Sequence, residues 1–455
     1  MTTAVESPRS SSVESPFPWA GLIVLATAVF MSVTAEMLPT GLLPEMSTEL
    51  GVGEAQIGLL VTLFALAVVA TSVPLAAITR GFSRHSLIVV VLLAVAGSSL
   101  LAALAPNYAV LAVARVLGGM AHGLFWAVVG AYSGHLVPRH QIGRAVAITT
   151  GGGTLAFVLG VPLGTVVGQT FGWRVPFAAI GLLAVCAAVL ILKKLPRVAN
   201  PVRQAADDRM HRPGLRARLD PSVPAVVMVC LTVATVMVGH YAIYTYIAPF
   251  MVTQMHVPAA SVGALLFVYG AAGAIGLLLA GFVFGRRPSM GIAVGVAVTA
   301  TSVAVMAVFS ANTVVAVVAF TVWGAAFGLI PPLMQVRLLH VAAPHISDTA
   351  NAFFSSSFNV GIATGAVLGG VLLSGLGVES LPFAYLLLLV VSGALLVLAG
   401  VSAHRRGAGL EPAPAGHRPA LIAPSAAAGT RPGPDGSMVT VAEAVGPCRP
   451  ESGSA

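Results

Sequence analysis

Glu36 is the one carboxylate that lies unambiguously inside an apolar segment of this 455-residue chain. A carboxylate at membrane depth costs roughly 3 kcal/mol on insertion scales, so it is seldom there without a task. Low dielectric favours the neutral form of an acid, which lets it take up and release protons near neutral pH. Other groups with useful chemistry lie in other apolar runs. His122 stands seven residues after Arg115 and shares its helical face, with Trp126 one turn further on. His240 and Tyr244 share a second face, with Tyr241 and Tyr246 beside them. Such groups suit proton relay and contact with an amphipathic ligand. A proton-carrying acid in a chain of many apolar helices points to transport.

The elements that must position these residues follow from composition. Apolar residues make up 57% of the chain, charged residues 8%, and the mean hydropathy is +0.95. A soluble domain carries about 25% charged residues, so no soluble fold would hide this chain's apolar side chains. About 20 apolar residues span a hydrocarbon core of about 30 Å. Twelve such runs are present, at 20–43, 55–78, 86–105, 109–133, 145–169, 174–195, 222–249, 260–283, 290–309, 313–335, 350–374 and 382–403. They are too long, and alternate too little, for barrel strands, so they read as helices. The first run is too long for a cleaved signal peptide, carries Glu36, and has Arg9 as the only basic residue before it.

Charge placement predicts the orientation. With the N-terminus inside, Arg80, Arg84, Arg139, Arg144, Arg286, Arg287 and Arg337 fall in inside loops. The loop between runs six and seven adds Lys193, Lys194, Arg197, Arg203, Arg209, Arg212, Arg216 and Arg218. Arg174 falls outside, where the loops carry Glu45, Glu49, Glu54 and Glu379. This bias predicts a multi-pass protein of the cell membrane with both termini in the cytoplasm. The basic balance then serves topology and lipid headgroups, and nucleic acid is not an expected partner.

The runs divide into two sets of six. The expected organisation is a disordered segment over 1–18, a six-helix bundle over 19–195, a cytoplasmic linker over 196–221, a second bundle over 222–403 and a disordered cytoplasmic tail over 404–455. A shift of about 205 residues superposes Pro44 on Pro249, Arg80 on Arg286, Gly123 on Gly328 and Pro138 on Pro344. Two parallel repeats predict a pseudo-two-fold axis along the membrane normal with a cavity between the halves. The same shift sets Glu36 against Tyr241, so the acid occurs in one half only. The expected fold class is therefore all-α integral membrane: twelve transmembrane helices in two pseudo-symmetric six-helix bundles around a central cavity. Cys186, Cys230 and Cys448 have neither metal-ligand spacing nor the pattern of a disulfide framework.

Several stretches resemble the major facilitator superfamily, over residues 19 to 403, and within it the twelve-helix drug/proton antiporter branch. That branch includes bacterial chloramphenicol-resistance and sugar- or arabinose-efflux proteins. TAEMLPTGLLPEM (34–46) resembles the branch's first helix, and PLAAITRGFSRH (74–85) occupies the site of its loop signature. LAVARVLGGMAHGLFWAV (111–128) resembles the helix-four motif with its intramembrane arginine, and GTLAFVLGVPLGTVVG (153–168) the helix-five antiporter motif. The common loop motif is G-x-x-x-D-R-x-G-R-R. Here Pro74 replaces the opening glycine, Ile78 the aspartate and Ser83 the second glycine, while Arg80 and Arg84 survive. The helix-five motif G-P-x-x-G-G is altered to Gly160-Val161-Pro162-Leu163-Gly164. The resemblance implies proton-coupled efflux of a small amphipathic solute or drug by alternating access, a small-molecule substrate and protons as partners, a monomer in lipid, and no cofactor. It implies that Arg115 tunes the proton acceptor or lines the cavity.

The residues themselves leave alternatives open. Arg115 is either that functional cation or one that snorkels from the outer end of its helix. His122 and His240 are ligand or relay groups, or helix-packing histidines. Tyr246 belongs with the ligand groups or with an interfacial belt. Asn359 and Gln335 line a cavity or pair with a neighbouring helix, and Asp348 is expected to N-cap its helix. Gly160, Gly164 and Gly168 share one face, and Pro162 permits a bend. That helix reads as a gate at the interface of the halves, or as an ordinary packing face. No phosphate-binding loop, metal-spaced histidine pair or nucleophile elbow is present, so the energy source is expected to be an ion gradient and not ATP. The rival functions are a sugar or metabolite efflux permease and a passive uniporter or channel. An enzyme lacks a catalytic pair.

Overall fold

In the computed structural model, residues 17–79, 82–137, 141–194, 220–343, 346–408, 431–432 and 438–439 are described. Among the described residues, twelve helices are long and apolar enough to cross a membrane. In chain order the helices are α1 (Trp19–Gly41), α2 (Leu43–Leu50), α3 (Glu54–Ile78), α4 (Arg84–Ala103), α5 (Tyr108–His135), α6 (Ile142–Leu155), α7 (Val161–Phe171) and α8 (Arg174–Lys194). The second half contains α9 (Val223–Tyr244), α10 (Ile247–Thr253), α11 (Val262–Phe282), α12 (Pro288–Val308), α13 (Thr313–Val341), α14 (Ser347–Leu376) and α15 (Leu381–Ala408). Helices α6 and α7 form one span, joined by a π-helical turn at Ala156–Gly160. Beyond His404 a separate unit contains an antiparallel pair of two-residue strands, Arg431–Pro432 with Met438–Val439.

The two sets of six spans repeat one packing pattern. In the first, α5 packs on α3 and α4, and α1 packs on the α6–α7 span. In the second, α13 packs on α11 and α12, and α9 packs on α14. The two bundles meet where α3 lies on α14 and where α11 lies on α7 and the π turn. All of these spans lie within one compact unit.

Two short helices were not expected from the apolar runs. Pro39 interrupts hydrogen bonding near the end of α1, the chain breaks at Leu42, and α2 follows to close the first span, ending on Gly51 in the left-handed conformation (φ 64°). The second bundle repeats the break: α9 gives way to α10, with Pro249 inside the latter. The π turn has a related cause. Pro162 has no N–H to offer, and the helix before it opens to an i→i+5 pattern.

The glycine face of α7 has a different neighbour from the one expected. A Cβ at Gly160, Gly164 or Gly168 would meet Thr34, Leu38 or Leu42, all on α1 or just after it. The glycine stripe itself is therefore a seam inside the first bundle. Its repeat confirms the packing role: Gly365 and Gly369, 205 residues on, face α9 in the same way at Val238, Tyr241 and Ala242. The contact between bundles uses the other side of this span, where Gly263 of α11 approaches Pro162 and Val166, and Gly270 approaches the Phe157 carbonyl.

Arg84 is the first residue of α4, partly exposed, in a helix capped by Ser83 Oγ at 3.1 Å from the Ser86 amide. Arg80 lies outside the described residues, as do residues 1–16 and most of the segments expected to be linker and tail. The N-cap of α14 is Ile346; Asp348 is its second residue and not its cap.

Candidate functional site

Glu36 is 6% exposed on α1, three residues before Pro39. Proline at 39 leaves the carbonyl of Ala35 without the amide that an uninterrupted helix would supply four residues on. Arg115 fills that gap. Its Nη1 donates to Ala35 O at 2.6 Å and its Nη2 to Glu36 O at 2.7 Å. The guanidinium also lies over the Phe64 ring, 4.3 Å from its centre. Arg115 is 3% exposed, so it does not snorkel to headgroups. Nor does it border the large cavity; it holds the backbone that carries Glu36.

The Glu36 carboxylate faces His122 of α5, with Oε2 3.4 Å from Nε2. Trp126, one turn along α5, donates its indole Nε1–H to the same Nε2 at 2.8 Å. Ser32 Oγ lies 2.8 Å from His122 Nδ1. A ring nitrogen that accepts from an indole carries no proton itself, so this network places the imidazole proton on Nδ1, directed at Ser32. Phe64 packs edge-on against the imidazole at 5.3 Å.

The wall opposite is aromatic. His240 of α9 stacks on Phe327 of α13, with ring centres 3.5 Å apart and planes within 6°. It also stacks on Tyr244 at 5.0 Å. Tyr269 of α11 closes on Tyr244 at 5.4 Å, and the edge of Trp323 supports both His240 and Tyr269 at 5.3 Å. Among the described residues, His240 Nδ1 and the Tyr269 hydroxyl are buried without a hydrogen-bond partner.

Between these walls lies a cavity of about 870 Å³. Glu36, His122, Trp126, His240, Tyr241, Tyr244 and Asn359 all border it, so residues expected on separate helices share one space. Its lining runs out past Ala76, Leu277, Pro332 and Asn351, toward the end of the molecule where α3, α11 and α13 finish and α14 begins. At the other end the bundles touch. Thr62 Oγ1 donates to Ala363 O at 3.1 Å, Gln169 Nε2 to Ala259 O at 3.0 Å, and Gly41 faces Thr165 and Leu266. Arg174 pairs with Glu49 at that closed end.

Two expected groups, Tyr246 and Gln335, sit elsewhere, and a third lines the cavity. The Tyr246 hydroxyl is buried on the Ala366 carbonyl at 2.8 Å, under Gly58, and belongs to the closed end rather than to an interfacial belt. Gln335 donates to Asn351 at 2.5 Å, joining α13 to α14. Asn359 lines the cavity, with its amide held by Ser355 O at 3.0 Å. Conversely, Tyr269 and Phe327 were not anticipated. The repeat points to them: 205 residues separate Phe64 from Tyr269 and His122 from Phe327.

The comparisons agree with this architecture. The family model described as Major Facilitator Superfamily matches residues 25–348 and 229–432. The chain belongs to the Major Facilitator Superfamily. Among solved structures, a bacterial homolog to the human lysosomal transporter Spinster, in an inward-facing and occupied conformation, has a TM-score of 0.67 at 16% identity, over 88% of this chain and 100% of that one. A D-xylose-proton symporter gives 0.68 at 16%, over 84% and 97%. A peptide transporter in complex with alafosfalin gives 0.68 at 14%, over 85% and 95%. At such identities the likeness is one of fold. Major Facilitator Superfamily members are multi-pass membrane transporters rather than enzymes, and membrane transport is the function of this chain.

Proposed function

We propose that the protein is a proton-coupled exporter of a small amphipathic solute, working by alternating access, with Glu36 and His122 as the proton site. The observation that carries this reading is the Glu36–His122 contact of 3.4 Å on the wall of the central cavity. A carboxylate and an imidazole at that separation exchange a proton with little rearrangement. The site borders the space a solute would occupy, so protonation and solute binding act on one another. Tyr241, the repeat's mate of Glu36, does not titrate near neutral pH, so the second bundle supplies binding surface and the first supplies the charge.

The open end is the one bearing Arg84, Arg144, Arg286, Arg287 and Arg337, which charge bias assigns to the cytoplasm of a cell membrane. On that assignment this is an inward-open state. A cytoplasmic solute enters between the aromatic wall and Glu36, the bundles rock, and an outside proton resets the carrier. One proton moving through about 100 mV and one pH unit supplies about 2.3 plus 1.4 kcal/mol, enough for a few-hundred-fold gradient of a neutral solute.

A sugar or metabolite permease is the second reading. It is favoured by the polar strip Asn351, Ser355, Ser356 and Asn359 on the α14 side of the cavity. Two of its amides are already engaged, Asn351 by Gln335 and Asn359 by the Ser355 carbonyl, which weakens this reading. A passive uniporter would share the cavity but ignore the pH gradient. The test begins with a growth-inhibition panel of antibiotics and sugar analogues in a pump-deleted bacterial host. Uptake of the responding compound into inside-out vesicles then follows, with and without an imposed pH gradient. Gradient-driven uptake of an apolar compound is the expected result. Uptake of sugars alone, or flux indifferent to the gradient, would overturn the reading.

A further inference from the structure

The lone pair of His122 Nε2 is approached by two groups. Trp126 Nε1–H donates into it at 2.8 Å, and Glu36 Oε2 lies 3.4 Å away. A ring nitrogen has room for one hydrogen in its plane. When a proton is added to the pair, it lies between Oε2 and Nε2 whichever atom holds it. If Glu36 carries it, the carboxylic O–H donates to Nε2. If His122 carries it, Nε2–H donates to the carboxylate. In both cases Nε2 no longer accepts from the indole. We propose that Trp126 and the proton compete for His122 Nε2, so that protonation of the Glu36–His122 pair releases the Trp126 indole into the cavity.

The surroundings support such a switch. Trp126 borders the cavity and is 38% exposed, so its ring has space to turn, whereas Glu36 and His122 are packed. Ser32 holds His122 from the far side at Nδ1 and anchors the ring while Nε2 changes partner. The other charged or titratable groups near the pair are few. Arg115, on the same helix, spends its Nη1 and Nη2 on backbone carbonyls. From α9, Tyr241 borders the same cavity as Glu36. From α3 the neighbour is the Phe64 ring. Of the other helices on α5, α4 places His85 on Tyr132, ten residues or about 15 Å along the helix, and α6 places Arg144 over Phe17 and Trp19. Trp126 is thus a positioning residue: it carries the protonation state of a buried pair to the wall that a solute touches. Solute affinity and proton affinity become linked through one side chain.

The inference rests on the proton-site reading above, and its test separates the two. The full-length protein is labelled with 5-fluorotryptophan, reconstituted in nanodiscs and followed by fluorine resonance across pH. Four tryptophans give four signals, and the one absent from Trp126→Phe is Trp126. Its signal should move with pH, and the movement should vanish in Glu36→Gln with His122→Gln. Trp126→Phe removes the competitor, so the midpoint of pH-dependent flux should rise by roughly half to one pH unit. Trp126→Tyr serves where the Phe variant does not fold. A Trp126 signal indifferent to pH, or, in a carrier whose flux is driven by the proton gradient, a flux midpoint unmoved by its replacement, would overturn the inference. A moving Trp126 signal in a carrier whose flux ignores the proton gradient would uphold the switch and sink the proton-coupled reading.

Discussion

Replacing Arg115 by Met should destabilise the protein chiefly because of Pro39, a residue on another helix. Arg115 donates at 2.6 Å to the Ala35 carbonyl, whose helical partner the ring of Pro39 removes. Arg115→Met leaves that buried acceptor unpaired, at a cost of about 1–3 kcal/mol, and weakens the hold on Glu36 O as well. Pro39→Ala restores an amide within reach of Ala35 O. In that background the penalty of Arg115→Met should shrink by about 1–2 kcal/mol, a coupling that a double-mutant cycle reads directly. Arg115→Lys should fall between, because an ammonium keeps donors for the carbonyls but not the rigid planar fork that meets both. The assay is reversible unfolding of the four variants in mixed micelles, followed by helical circular dichroism. A coupling energy indistinguishable from zero would refute the claim that Arg115 replaces the amide lost at Pro39.

Other expectations follow from the same geometry. A Cβ at Gly270 would collide with the Phe157 carbonyl oxygen, so Gly270→Val should wedge the bundles apart there and disfavour the present state; alkylation of a cysteine placed at Ala76 should slow several-fold, and an unchanged rate would contradict it. Phe327→Ala removes the ring stacked on His240 and should raise the apparent KM for an aromatic solute about tenfold with a smaller change in maximal rate; equal KM values would remove the aromatic wall from the binding surface. Tags at residue 208 and at the C-terminus should report cytoplasm and a tag near Glu49 the outside, and an external tag at 208 would overturn the orientation.

The twelve spans were legible because a bilayer imposes one length and one composition on every crossing helix. The repeat was legible because proline, glycine and loop arginine mark turns and close contacts that both halves need. Glu36, His122, Trp126, His240, Tyr244 and Asn359 were legible as polar or aromatic groups in apolar runs, and they do share a cavity. What one helix does to its neighbour was harder to read. The stripe Gly160, Gly164 and Gly168 identifies a face but not what covers it, and α1 covers it rather than the opposite bundle. Arg115 was expected to tune the proton acceptor, line the cavity or snorkel, yet its Nη groups bind backbone carbonyls near a proline break. Phe327 and Tyr269 were not singled out, and only their register with His122 and Phe64 marks them as lining.

The central claim is that Glu36 carries the coupling proton. Glu36→Gln keeps the size and hydrogen bonding of the neutral acid but does not titrate. With the protein purified and reconstituted in proteoliposomes, a pH jump should drive accumulation of the transported compound by wild type. The Gln variant should fall to background while still exchanging the compound down its gradient, and Glu36→Asp should retain part of the activity. Uphill accumulation by Glu36→Gln at near wild-type rate would contradict the account.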